Sequence, residues 1–83
     1  MREEKIHKII DHFEDKGFAT FYYEENGELS LDMGYKEYSF SIDFFKGEPE
    51  AVCFVYGSAD YNEPIATNSV LIEDIIEYIE QWI

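Results

Sequence analysis

The chain has 83 residues, the size of one domain, and a formal charge of −13 from 19 acids against 6 bases. Hydrophobic residues make up 46% and aromatics 18%, which excludes a disordered acidic tail, because such tails lack the aromatic and β-branched side chains that drive collapse. So negative a chain is a poor ligand for nucleic acid or anionic lipid, its single cysteine excludes a disulfide framework and a cysteine-based zinc site, and no apolar run reaches the ~18 residues of a membrane helix.

Residues 2–16 read as an amphipathic helix. Ile6, Ile9, Ile10 and Phe13 recur at helical spacing on one face, and Gly17 suits the left-handed position just past the helix end. Residues 18–23, rich in aromatic and β-branched side chains, read as a strand. Asn26-Gly27 predicts a tight hairpin turn, because both residues tolerate positive φ. A second strand follows over 29–33, with Leu29, Leu31 and Met33 alternating with Ser30 and Asp32, and Gly34 is expected in or beside the next turn.

The third strand, 36–44, sets Tyr38, Phe40, Ile42 and Phe44 against Glu37, Ser39, Ser41 and Asp43. After a turn at Lys46-Gly47-Glu48-Pro49 comes a fourth strand, 51–56, apolar on both faces and therefore either central or covered. A connection over 58–69 leads to a last helix over 70–83, with Asn68 or Ser69 as its N-cap and Ile72, Ile75, Ile76 and Ile79 in its apolar stripe. The expected fold is α+β, in the order α-β-β-β-β-α. A four-stranded antiparallel meander carries the N-terminal and C-terminal helices on one face, a two-layer sandwich in a single acidic domain over 1–83 with a radius of gyration of roughly 12 Å.

Chemistry-bearing motifs are scarce. His7 and His12 do not share a helical face, and Cys53 sits in an apolar strand, the usual place of an inert buried thiol. No phosphate loop, dinucleotide fingerprint, metalloprotease helix or calcium loop occurs, so no catalytic residue, cofactor or metal is assigned. The N-terminal Met-Arg-Glu-Glu-Lys is not the pattern of a signal peptide, and the expected location is the cytoplasm.

The charge is unevenly placed. Lys46 is the last basic residue, and the eight acids beyond it have no base in that part of the sequence. Glu73, Asp74, Glu77 and Glu80 form an acidic row on the last helix, which Asp60 and Glu63 could continue. The uncovered sheet face, with Asp32, Glu37 and Asp43 among serines and with Tyr23, Tyr35, Phe45 and Val55 near its edges, is the second candidate surface. Acids with aromatics suit a basic protein partner, the acids steering and the aromatics supplying desolvated contact. In being small, acidic and aromatic-rich the chain resembles, in type and without a shared motif, accessory proteins of phages and mobile elements that inhibit host enzymes, nucleic-acid mimics among them. The expected function is thus a non-enzymatic protein-binding module, an inhibitor or nucleic-acid mimic in that sense. The alternative is a homodimeric structural or regulatory domain whose charge serves solubility.

Overall fold

The computed structural model describes residues 2–57 and 62–83. Helix α1 spans Arg2–Asp15 and is followed by strands β1 (Ala19–Glu25), β2 (Glu28–Tyr35), β3 (Tyr38–Phe44), β4 (Glu50–Gly57) and β5 (Ala66–Leu71). A 3-10 turn at Ile72–Asp74 leads into a short helix, α2 (Ile75–Glu80). The strands form one antiparallel meander in the order β1-β2-β3-β4-β5. The radius of gyration is 11.9 Å.

Local chemistry accounts for the punctuation. Gly17 has φ +96°, Phe18 N–H donates to the Phe13 carbonyl at 3.0 Å, and Gly17 N–H donates to that of Glu14 at 3.0 Å. This is a Schellman cap, and its usual apolar contact is present, with the Phe13 and Phe18 rings 4.7 Å apart. Asn26 and Gly27 both have positive φ, 54° and 80°, as a type I′ hairpin turn requires.

The sheet has five strands, not the expected four. Ala66–Leu71, assigned from sequence to the end of the connection and the start of the last helix, is β5, paired to β4 from Glu50↔Leu71 to Val55↔Ala66. The segment lacks a clean apolar–polar alternation, because β5 is an edge strand with most of its residues exposed. Its signal lay instead in β4, whose two apolar faces mark a central strand flanked by β3 and β5. The last helix is shorter in consequence. Asn68 and Ser69 lie in β5 rather than at a helix N-cap, and Asn68 Nδ2 donates to the Tyr78 hydroxyl at 2.8 Å. Gly34 is the penultimate residue of β2, just ahead of the β2–β3 turn, which falls at Lys36 with φ +52°.

The core lies between the helices and one face of the sheet. Ile6, Ile9 and Phe13 of α1, with Ile72, Ile75 and Ile79 of the C-terminal segment, pack on Leu29, Leu31, Met33, Phe40, Ile42, Phe44, Ala51, Cys53 and Val55. None of these is more than 5% exposed, and no polar or charged side chain is buried among the described residues. The period-two alternation of β2, β3 and β4 therefore determines which side chains enter the core and which stand on the opposite face.

Candidate functional site

The two surfaces expected to carry acid meet different fates. Helix α1 lies beside the C-terminal segment of the 3-10 turn and α2, and bases on or just after α1 meet acids of that segment. Lys5 Nζ is 3.7 Å from Glu73 Oε2, while Lys16 Nζ and His12 Nε2 lie 2.7 Å and 3.1 Å from Glu80 Oε2. The hydrogen bond from Lys16, then that from His12, holds the Glu80 carboxyl below its ordinary value of 4.5. These contacts are solvent-exposed ion pairs that add little to stability, but they neutralise the row locally. Only Asp74 and Glu77 of that row are exposed without an ion pair among the described residues. The six residues of α2 are too few for a long regular carboxylate array. Asp60 lies outside the described residues, and Glu63 is exposed ahead of β5.

The uncovered face of the sheet has no such compensation. Arg2, Lys5 and Lys8 are on α1, Lys16 directly follows it, and Lys36 and Lys46 are in turns, so none of the 6 bases lies on a strand. Strand register brings the outward residues into rows. One row reads Tyr23, Ser30, Asp43, Val52 and Ser69, and the next Phe21, Asp32, Ser41, Phe54 and Thr67. Glu25, Glu28 and Glu50 stand at one end of this face, Glu25 directly opposite Glu28.

The central acids are anchored by their neighbours. Ser30 Oγ donates to Asp43 Oδ1 at 2.9 Å, and Ser41 Oγ donates to Asp32 Oδ1 at 2.9 Å. Serine and aspartate exchange places between β2 and β3, so the two carboxylates sit diagonally rather than opposed, which reduces their repulsion. A carboxylate has about four acceptor sites, and each serine occupies one.

Aromatics border this polar strip. Phe21 is 64% exposed and Tyr23 39%, with ring centroids 5.4 Å apart. Val52, Phe54 and Tyr56 of β4 are half-exposed on the other side, with Leu71 beyond them at the end of β5. Three residues expected at this surface lie elsewhere. Val55 is fully buried in the core, and Tyr35 stacks on Phe18, with centroids 4.5 Å apart and planes 5° from parallel. Glu37, expected on this face, is exposed in the β2–β3 turn.

Phe21 was missed from sequence, because aromatics occur on both faces of β1. A signal was present. The cap that places Phe18 against Phe13 turns position 18 inward, and period two then turns 21 and 23 outward.

Besides a hollow of ≈ 500 Å³ among Lys5, Lys46, Glu48 and Glu73, two more flank these surfaces. The larger, of ≈ 570 Å³, lies among Lys16, Lys36, Glu37, Tyr38, Glu80 and Trp82 at the end of the helices, where Lys16 and Glu80 satisfy each other. The second, of ≈ 460 Å³, is on the uncovered sheet face, with Gly34, Ser39, Ser41 and Asp32 between Phe21 and Tyr56. Both are broad and open to solvent. Among the described residues no three His, Cys, Asp or Glu gather as a metal site, and no helix is long and apolar enough to cross a membrane. Comparison with protein families, with curated proteins and with solved structures finds no match to this chain.

Proposed function

We propose that the protein is a non-enzymatic binding module that engages a basic protein partner through the uncovered face of its sheet. One observation carries this: that face holds Asp32, Asp43, Glu25, Glu28 and Glu50 beside exposed aromatics, while every base of the chain lies on or beside α1 or in a turn. Exposed rings give contact area and unopposed carboxylates select a cationic surface. The helix row, which the sequence brought forward, has already spent Glu73 and Glu80 on α1. A partner whose basic groove otherwise holds nucleic acid is one form this chemistry takes, and the protein is then its competitor.

The test compares two variants in affinity capture at low and high salt. Asp32→Asn with Asp43→Asn and Phe21→Ala alters the sheet face, and Glu73→Gln with Glu77→Gln and Glu80→Gln alters the helix. Partners captured by wild type at low salt are expected to be kept by the helix variant and lost by the face variant. Equal capture by both variants would refute the assignment.

A homodimer is the second reading, favoured by β5. This edge strand carries no charged residue and among the described residues pairs only with β4; Ile65 just ahead of it is 57% exposed and Leu71 at its end 41%. Such edges invite a further strand. A solution mass equal to one chain at working concentration would exclude it.

A further inference from the structure

The uncovered face is a trough rather than a plane. Its floor is made of the short side chains of β2 and β3, namely Ser30, Asp32, Gly34, Ser39, Ser41 and Asp43. Its banks are Phe21 and Tyr23 on β1 and Val52, Phe54 and Tyr56 on β4. The banks are three interstrand spacings apart, about 14 Å between backbones. Side chains stand roughly perpendicular to a sheet, so most of that width stays open above the floor. An α-helix with its side chains is about 10–12 Å across. An extended peptide, whose neighbours in a sheet sit about 4.8 Å apart, would leave the trough half empty.

Gly34 supports the same conclusion. Its φ does not require glycine, and a Cβ placed on it would meet nothing within 4 Å. Backbone strain and crowding therefore give no reason for a glycine at this paired position near the end of β2, where it weakens the sheet. A glycine so placed often marks close approach by another molecule. Here it deepens the floor at the ≈ 460 Å³ hollow between Phe21 and Tyr56.

We propose that the trough along β2 and β3 seats one α-helix of the partner, a helix with a basic face. Asp32 and Asp43 are diagonal neighbours, roughly 7–8 Å apart, within reach of arginine or lysine side chains one turn apart on a helix, where the rise is about 6 Å. The apolar flanks of that helix lie against the aromatic banks. This rests on the sheet face being the binding surface and adds the shape of what binds there.

The experiment uses two synthetic probes of ~15 residues, a length at which an alanine-rich helix begins to hold in water. One is an alanine-based peptide with arginine at every fourth position. The other has the same arginines and two central prolines, which break the helix. Each is titrated into the isotopically labelled full chain at low salt and followed by amide chemical shifts. The helical probe is expected to shift Phe21, Gly34, Ser39, Ser41 and Tyr56 and to bind at least tenfold more tightly than the proline probe. Gly34→Val is the blocking variant. It suits a strand and has room to fold, so its melting temperature should hold or rise while affinity for the helical probe falls at least tenfold.

Equal binding of the two probes, or full binding to a folded Gly34→Val protein, overturns the helix proposal. If those shifts still fall on the sheet face and vanish in Asp32→Asn with Asp43→Asn, the wider assignment of the face survives. If neither probe shifts any residue of that face, both fall.

Discussion

Replacing Phe21 with alanine tests whether the outer aromatics of β1 serve folding or contact. Phe21 keeps 64% of its surface in water, so about a third of a full phenylalanine burial is at stake. Full burial is worth roughly 1.5–3 kcal/mol, which leaves about 0.5–1 kcal/mol here. The ring pair with Tyr23, at 5.4 Å and largely in water, adds about 0.5–1 kcal/mol more. The expected loss is therefore about 1–2 kcal/mol. Phe40, one strand over from β2 and 1% exposed, gives the contrast, since truncating a buried phenylalanine costs about 3–5 kcal/mol. A domain of this length has roughly 4–12 kcal/mol in all. Urea denaturation of Phe21→Ala should show an unchanged slope and a modestly lower midpoint, whereas Phe40→Ala should lose much of its folded baseline. A Phe21→Ala loss as large as that of Phe40→Ala would refute the reasoning. It would mean that Phe21 is buried in solution, as it would be if a second copy covered the face, and the loss would then depend on protein concentration.

Other outcomes follow from the same geometry. The Glu80 carboxyl is held below its ordinary value by Lys16 and His12, so its contribution to stability is present above pH 4.5 and disappears as pH falls through the lower folded value. Wild type should therefore be the more stable protein above that pH, with its advantage over Glu80→Gln vanishing in acid, as followed by thermal melts across pH. Burial, with the Asp43 charge second, pushes the Cys53 thiol up to about 12, so iodoacetamide at mildly alkaline pH should leave the native protein unmodified and label it only on unfolding, read by mass. Gly27→Ala forces a side chain into φ +80° and should cost about 1–2 kcal/mol, while Gly34→Ala, with open space around it, should cost nothing or stabilise, a difference of several degrees in melting temperature.

Much of the architecture is carried by short-range pattern. The helical spacing of Ile6, Ile9 and Phe13 gives α1, Gly17 gives its cap, and Asn26-Gly27 gives the first hairpin. The alternation of Phe40, Ile42 and Phe44 with Ser39, Ser41 and Asp43 gives the clearest strand and both of its faces. Where pattern failed, the deciding contact was distant in sequence. Ala66–Leu71 becomes a strand because β4 offers it an unpaired edge, not because its own residues alternate. An edge strand half in water has no strong periodicity to read.

The candidate surface divides in the same way. Alternation in β2 and β3 was enough to turn Asp32 and Asp43 outward, since a strand with one buried face must expose the other. That acids outnumber bases, and that no base follows Lys46, is likewise a property of sequence alone. Where that charge goes unopposed was decided by tertiary structure. Lys5 lies far from Glu73 along the chain, as do His12 and Lys16 from Glu80, yet the packing of α1 beside α2 on one hydrophobic sheet face brings them within 4 Å. Apolar burial fixes that packing and carries the charges with it. Electrostatic neighbours are thereby set by distance in space: Glu73 and Glu80 gain cationic partners from the first helix and its end, while Asp32 and Asp43 on the open side of the sheet have serine neighbours instead.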